Sequence, residues 1–140
     1  MKNYIAVVIF TVMTFNISIG QIEQISVNSR ILNDSRQIKV QLPRNYDYES
    51  KKTYPLIFVF DGHYLFEPVA GIVDYLSYWE EIPEAFVVGI TQAGTRIEDG
   101  KYDTSDFLPI STGARFFDFI QLEVMKNLQE NYNIGDFKIA

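Results

Sequence analysis

Residues 54–62 read Tyr-Pro-Leu-Ile-Phe-Val-Phe-Asp-Gly, and the fold class is predicted mainly from this stretch. Five apolar residues, Leu56–Phe60, follow one another without alternating polar side chains. A strand with one face in water alternates apolar and polar residues, whereas a strand covered on both faces by helices is apolar throughout. Asp61 and Gly62 then end the run, as turn-forming residues do. The stretch therefore predicts a buried strand in a sheet that is covered by helices.

Helical and strand patterns alternate after this strand. Val69–Trp79 carries apolar residues at helical spacing after a proline in the first turn, and Ala85–Ile90 reads as a second buried strand. Arg115–Tyr132 has the longest helical pattern, which Gly135 follows as a C-cap glycine would, and Phe137–Ala140 begins a further strand. Strands that alternate with helices imply parallel neighbours joined by right-handed crossovers. We therefore predict an α/β fold with a mostly parallel sheet.

An antiparallel hairpin is predicted in front of this region. Ile25–Leu32 and Gln37–Leu42 flank Asn33-Asp34-Ser35, whose side chains close turns by bonding to their own backbone. Apolar and polar residues alternate along the second arm. One face of that arm is therefore expected to be buried and the other to face water.

The first twenty residues have the pattern of a secretory signal peptide. Lys2 supplies a positive start, Ile5–Phe15 is mostly apolar, and small residues at 18 and 20 precede a cleavage point at Gln21. The apolar run is shorter than the roughly 20 residues that a permanent transmembrane helix needs, so a retained anchor is the weaker alternative. We expect residues 21–140 to form an exported domain, periplasmic or secreted, without a stable membrane anchor.

Composition excludes several classes of function. The chain has 140 residues, of which 47% are hydrophobic, which suits one globular domain. Its formal net charge is −6, so its field repels phosphate backbones and we expect no nucleic-acid partner. Cysteine is absent, which excludes disulfides, zinc–thiolate sites and cysteine nucleophiles. The oligomeric state is left open.

Five segments of the sequence, taken in order, resemble one known family. They are Arg36–Pro43, residues 54–62, Phe86–Ile90, Arg96 with Asp106–Pro109, and Phe116–Ile120 followed by Asn131-Tyr132. Together they are similar to the putative-esterase family of α/β-hydrolases, which includes enterobactin esterases, S-formylglutathione hydrolases and some feruloyl esterases. The resemblance implies an α/β-hydrolase-type fold that hydrolyses a small-molecule carboxylic ester by acyl transfer to a serine, without a cofactor.

The same resemblance implies that the catalytic triad lies beyond this sequence. In the family, a strand equivalent to Phe137–Ala140 leads into a Gly-x-Ser-x-Gly turn that presents the serine nucleophile. That motif does not occur in the 140 residues, and neither do the acid and histidine that follow it. We expect an amino-terminal fragment, truncated before the nucleophile elbow and inactive by itself. The alternative is an exported non-catalytic binding module, or a truncated remnant, of the same fold.

Candidate site residues follow the predicted strand at 56–60. By the resemblance, the backbone N–H of Gly62 or His63 would be one donor of the oxyanion hole, and Tyr64 would belong to the substrate pocket. A strand-ending turn without a chemical role is the alternative. His63 is the only histidine. It is expected at the pocket wall or the surface, because the catalytic histidine of the family lies beyond residue 140.

Arg96 is the other candidate pocket residue. Its guanidinium could bond a substrate carboxylate, and an ordinary salt bridge with Glu98 or Asp99 is the alternative. Members of the family place this arginine only a few residues before the aspartate of the Asp106–Pro109 motif, whereas here the two are ten residues apart. This departure leaves the role of Arg96 open.

Two further groups of residues are assigned structural roles. The acidic residues at 98, 99, 103 and 106 fit no EF-hand template, so they are expected in a solvated loop, and no metal site is predicted. Trp79 is expected to pack in the core on its helix, although together with Tyr75 and Tyr78 it could line a groove for an aromatic or sugar substrate.

Overall fold

The computed structural model describes residues 21–136, and its centre is a four-stranded sheet. The strands are β1 (Ile22–Ser29), β2 (Asp34–Gln41), β3 (Leu56–Val59) and β4 (Phe86–Ile90). Their order across the sheet is β1-β2-β4-β3. The β1–β2 and β2–β4 pairs are antiparallel, and the β3–β4 pair is parallel. The molecule is thus a mixed α/β fold with an N-terminal antiparallel hairpin, as predicted.

The mostly parallel sheet that the sequence predicts is not seen over these four strands. Only one of the three strand pairs within residues 21–136 is parallel, because the second arm of the hairpin lies beside β4. The further parallel strand predicted at Phe137–Ala140 lies outside the described residues, and so does the predicted signal peptide at 1–20.

Helical segments connect and follow the strands. They are α1 (Gly62–Tyr78), α2 (Arg96–Asp99), α3 (Thr112–Asp118), a π-helical segment (Phe119–Val124) and α4 (Met125–Asn131). The last three form one continuous stretch, which confirms the long helix predicted there. Within the described part of the chain, none of these helices combines the length and the hydrophobicity needed to cross a bilayer.

Helix α1 begins earlier, and presents a different face to the sheet, than the sequence predicted. It starts at Gly62 rather than near Val69, so Pro68 lies inside the helix. Its buried face consists of Gly62, Phe66, Ala70 and Val73. Trp79 is 59% exposed, so its predicted place in the core is wrong. The contact of Gly62 with the sheet determines which face of α1 is buried. Pro68 therefore does not mark the first turn of the helix.

Helices cover both faces of the sheet. Phe86, Val88 and Ile90 of β4 belong to one core cluster, which contains buried side chains of α3, the π segment and α4. Val87 belongs to a second cluster, which contains Phe66, Ala70 and Val73 of α1. All five residues of β4 are buried. This arrangement confirms that the unbroken apolar runs mark strands covered on both sides.

The hairpin differs from the prediction in its turn and in its second face. β1 ends at Ser29, which pairs with Asp34, so the turn occupies residues 30–33 and not 33–35. The alternate face of β2 is not wholly wet, because α1 covers part of it. The Gln41 side chain is buried there and donates from Nε2 to the carbonyl of Ala70 at 2.9 Å.

The turn of the hairpin is docked on the long helical stretch. Glu123 of the π segment accepts hydrogen bonds from the backbone N–H groups of Arg30 at 2.9 Å and of Ile31 at 3.4 Å. Arg115 of α3 donates from Nε to the carbonyl of Ile31 at 3.1 Å. These bonds tie the outermost hairpin to the helix that packs beneath it.

The chain after α4 turns towards the outer side of β3. Tyr54 and Ile134 form a parallel β-bridge, and the Gly135 N–H donates to the carbonyl of Tyr54 at 3.0 Å. Because α4 already ends at Asn131, Gly135 is not its C-cap, contrary to the prediction. Residues 134 and 135 therefore run alongside the entry to β3.

Candidate active site

The site begins where β3 ends. Asp61 adopts a left-handed conformation with φ 54° and ψ 36° and precedes α1 as its N-cap. Its carbonyl accepts hydrogen bonds from the N–H groups of Tyr64 at 3.1 Å and of Leu65 at 3.2 Å. The backbone N–H groups of Gly62 and His63 donate no hydrogen bond to any acceptor among residues 21–136. The start of α1 thus offers two unpaired donors and the positive end of a helix dipole.

A pair of glycines lets the start of α1 lie directly on β4. A Cβ atom on Gly62 would lie 2.7 Å from the carbonyl carbon of Gly89 and 2.8 Å from the nitrogen of Ile90. A Cβ atom on Gly89 would lie 2.6 Å from Cδ2 of Phe66. No side chain fits at either position. Because β3 and β4 are parallel, this contact places the unpaired donors at the carboxyl edge of both strands, where open α/β sheets build their sites.

Gln92 fixes the backbone of Asp61. It lies two residues after β4 and is 5% exposed. Its Oε1 accepts a hydrogen bond from the Asp61 N–H at 3.0 Å, and its Nε2 lies 3.4 Å from Oδ2 of Asp99. The amide therefore links the turn that presents the donors to the loop after β4.

Asp99 is the centre of a buried polar network. Arg36 of β2 donates to both of its carboxylate oxygens at 3.1 Å, and Thr95 Oγ1 donates to it at 2.7 Å. The alternative partner proposed for Asp99, Arg96, is not bonded to it. Sequence reasoning missed Arg36 and Gln92. A signal existed for Arg36, since it shares the strand parity of Ile38, whose side chain is fully buried.

Arg96 instead pairs with Asp61. Its Nη1 lies 3.1 Å from Oδ2 of Asp61; the Arg96 side chain is 69% exposed, whereas that of Asp61 is 8% exposed. The second carboxylate oxygen, Oδ1, is buried and has no hydrogen-bond partner in the described part of the chain. The salt bridges with Glu98 or Asp99 that the sequence allowed for Arg96 are not formed.

A cavity of about 750 Å³ adjoins this turn. Its polar wall includes Asp61, Gln92 and Arg96. Its apolar wall is built mostly of aromatic and aliphatic side chains from the residue after β3, from α2, from the loop at 100–110 and from the long helical stretch: Phe60, Ile97, Tyr102, Phe107, Pro109, Phe116, Phe117 and Ile120. Such a mixture of a large apolar lining and a few polar groups is typical of small-molecule sites.

The loop between β4 and α3 has structure of its own. Besides α2, it contains an antiparallel bridge between Tyr102 and Pro109, and the Tyr102 and Phe107 rings stack at 6.1 Å. A Cβ atom on Gly113 would lie 2.0 Å from the carbonyl oxygen of Lys101, so this glycine lets the loop pack against the start of α3. The loop thus forms one side of the cavity.

His63 and Tyr64 lie in the first turn of α1 and are both exposed. Their rings meet edge to face at 4.8 Å, and the Tyr64 hydroxyl lies 3.5 Å from Oδ2 of Asp61. Neither side chain lines the cavity, whereas Arg96 does. Over the described ranges, no group of three or more histidine, aspartate and glutamate side chains is placed to hold a metal ion.

Comparison with known proteins places this arrangement in a family. The family model described as "Putative esterase" matches residues 29–138. This match covers most of the chain, including every element from β2 onward. The chain belongs to this esterase family. No curated protein matches it.

Three solved structures resemble this member of the esterase family, each over only part of its own length. An uncharacterised protein from Capnocytophaga ochracea is 32% identical with a TM-score of 0.73, over 84% of this chain and 32% of that one. An IroE-like serine hydrolase from Shewanella oneidensis is 24% identical with a TM-score of 0.68, over 81% and 39%. The enterobactin esterase of Shigella flexneri is 19% identical with a TM-score of 0.65, over 82% and 27%. The chain therefore spans roughly a third of the length of these neighbours.

Proposed function

We propose that the complete protein containing this chain is a serine esterase, which hydrolyses a carboxylic ester by acyl transfer to a serine. Membership of the esterase family supports the reaction class. The observation that carries the proposal is the pair of unpaired N–H groups at Gly62 and His63, held at the carboxyl edge of the sheet beside the cavity. Donors in that position suit the carbonyl oxygen of an ester in its tetrahedral state.

Each group then has a defined role in the reaction. A serine oxygen attacks the ester carbonyl while a histidine takes its proton, and the carbonyl oxygen becomes an oxyanion. The N–H of Gly62 or His63 donates to this oxyanion, and a second donor follows the nucleophile. Collapse of the tetrahedral state expels the alcohol, which receives the proton from the histidine, and water then releases the acid by the same route. The serine, the catalytic histidine and its acid come from residues beyond 140.

The substrate is proposed to be a small-molecule ester. A cavity of about 750 Å³ lies within the range of small-ligand sites, and its aromatic and aliphatic wall suits an apolar acyl or aryl group. Arg96 and Tyr64 lie near its polar end. One structural neighbour is an enterobactin esterase that was crystallised in the presence of enterobactin, which is consistent with this substrate class.

The placement of the missing nucleophile is proposed from the chain after α4. Phe137–Ala140 is expected to add as a parallel strand on the open side of β3, which would give the mostly parallel α/β-hydrolase sheet. The parallel bridge of Tyr54 with Ile134 supports this position. A turn that follows this strand would reach the carboxyl edge at which Gly62 and His63 lie. Residues 1–20 are proposed to direct export of the domain 21–140.

Activity of the full-length gene product against p-nitrophenyl butyrate tests the proposal, together with labelling by a fluorophosphonate probe. We expect turnover and labelling of one serine in the full-length product and neither with residues 21–140 alone. His63→Ala in the full-length product is expected to remain active, because this exposed histidine is not the general base. Absence of turnover and labelling in the full-length product, or turnover by residues 21–140 that His63→Ala abolishes, would contradict the proposal.

A further inference from the structure

An acidic side chain in an unusual environment lies next to the proposed oxyanion donors. Asp61 directly precedes Gly62, and its side chain is 8% exposed. Its Oδ1 has no hydrogen-bond partner in the region that the structure covers, and its carboxylate does not cap α1. Buried carboxylates in proteins are normally hydrogen-bonded or paired. The Arg96 guanidinium, at 3.1 Å from Oδ2, supplies the ion pair of this group.

A lone carboxylate at this position would oppose the reaction. The ester oxygen acquires negative charge in the tetrahedral state, and like charges repel strongly where water is excluded. Asp61 and the oxyanion would also share the positive end of the same helix dipole. The reaction therefore needs the charge of Asp61 to be balanced by a cation that does not occupy the oxyanion position.

We propose that Arg96 acts as this balancing cation: it cancels the negative charge of Asp61 beside the donors of Gly62 and His63, and so it is a positioning residue and not a binder of a substrate anion. This inference rests on the proposed function. It assigns Arg96 an effect on the reaction through Asp61, without contact with the reacting atoms.

The backbone of the turn at Asp61 is held by contacts other than the Arg96–Asp61 pair. Arg96 is 69% exposed but Asp61 is only 8% exposed, so loss of Arg96 leaves a buried charge without its cation and is expected to lower stability. The backbone of Asp61 is already held by Gln92 and by the first turn of α1. Loss of Arg96 should therefore alter the electrostatic field at the donors and leave the turn in place.

A double-mutant cycle on the full-length gene product tests the inference with a neutral ester, p-nitrophenyl butyrate. Arg96→Gln is expected to lower kcat about 10- to 100-fold with little change in KM, which is less than the roughly 100- to 1,000-fold loss that follows removal of a whole oxyanion donor, because both donors remain. When Asp61→Asn is added to Arg96→Gln, kcat should rise again by about tenfold or more, because the negative charge that Arg96 balanced is no longer present. Arg30→Gln, which removes an exposed arginine from the hairpin turn, is the matched control and should leave kcat unchanged.

Two results would contradict the inference. If the double variant is as slow as Arg96→Gln, or if Arg96→Gln raises only KM and only for esters that carry an anionic group, Arg96 binds substrate and the inference is wrong. Unchanged near-ultraviolet circular dichroism in each variant checks that the fold is intact.

A second measurement does not need ester hydrolysis. Methylphosphonate, a stable anion, is titrated into the ¹⁵N-labelled full-length protein while the amide resonances of Gly62 and His63 are followed. Binding should weaken about tenfold or more in Arg96→Gln and return in the double variant. If the wild type hydrolyses no ester but shows this pattern, the proposed function fails and the charge balance stands. If these amides do not respond in the wild type, or if binding does not return in the double variant, the inference fails.

Discussion

Gly62 and Gly89 are in backbone contact, and this contact fixes where the candidate site lies. A Cβ atom on Gly62 would lie 2.7 Å from the carbonyl carbon of Gly89. The first turn of α1, with its unpaired N–H groups, is thereby held against the carboxyl end of β4. The contact joins a strand-ending turn to the neighbouring strand, so the fold and the site depend on the same two residues.

Substitution of Gly62 by alanine should therefore destabilise the protein. The added methyl group forces α1 away from β4, and such overpacking costs about 1–3 kcal/mol of unfolding free energy. Urea unfolding of the full-length protein measures the change. Gly71→Ala is the matched control, because it lies in the same helix with open space around it, and it should stabilise by about 0.5–1 kcal/mol. Equal effects of the two substitutions would contradict the role given to the contact.

Gln92→Leu should weaken the site without removing any charge. The substitution leaves the buried N–H of Asp61 without its acceptor, and an unpaired buried polar group costs about 1–3 kcal/mol. Faster hydrogen exchange at the Asp61 amide, measured by NMR, should accompany the loss. Gln129→Leu, on the exposed side of α4, is the control and should change neither quantity. Unaltered exchange at Asp61 in Gln92→Leu would show that the bond does not hold the turn.

Strand and helix locations could be predicted because local patterns encode them. Leu56–Phe60 and Phe86–Ile90 are unbroken apolar runs, and both form strands in the sheet, although β3 ends at Val59 and Phe60 is 47% exposed. The start of α1 could not be predicted in this way. Pro68 suits a first turn, yet the helix begins at Gly62, where a contact with a residue far along the chain fixes its position.

The site was only partly visible in the sequence for the same reason. The turn at Gly62 and His63 could be located because a strand that ends at the carboxyl edge of a sheet is a local signal, whereas the role proposed for these residues came from the resemblance to the esterase family. The bond of Gln92 to the Asp61 backbone spans 31 positions, and the pair of Arg36 with Asp99 spans 63. Contacts at such separations depend on which strands become neighbours, and no local pattern specifies them.

Two tyrosines that share one carboxylate should ionise only at unusually high pH and make the fold sensitive to alkali. The hydroxyls of Tyr48 and Tyr132 donate to Glu23 at 2.5 and 2.6 Å. Burial, followed by the bond to Glu23, raises the pKa of Tyr48 to about 12, and the pKa of Tyr132 is also raised for these reasons. Because the pKa of Tyr48 is higher in the folded state, its protonated hydroxyl contributes its full stabilisation below the pKa of about 10 that tyrosine has in the unfolded chain. This contribution is lost as the pH rises through about 12.

Absorbance at 295 nm as a function of pH measures this effect. Part of the tyrosine signal should appear only near pH 12, and Tyr48→Phe should reduce that late part. Tyr75→Phe, which removes an exposed tyrosine on α1, should leave the late part intact. If all the tyrosines ionise together near pH 10 while the protein remains folded, the shared carboxylate does not hold these hydroxyls.

The buried pair of Arg36 and Asp99 should show strong coupling in stability. Arg36→Met leaves the carboxylate of Asp99 buried without its bidentate partner. Removing one member of a buried ion pair lowers the free energy of unfolding by about 3–5 kcal/mol. Addition of Asp99→Leu removes the stranded charge, so the double variant should be more stable than Arg36→Met alone, as measured by urea unfolding. Lys126→Met breaks an exposed pair with Glu130 and should change stability by no more than about 0.5 kcal/mol. A loss in the double variant equal to the sum of the two single losses would mean that the pair is not coupled, and that Asp99 is held by Thr95 and Gln92 alone.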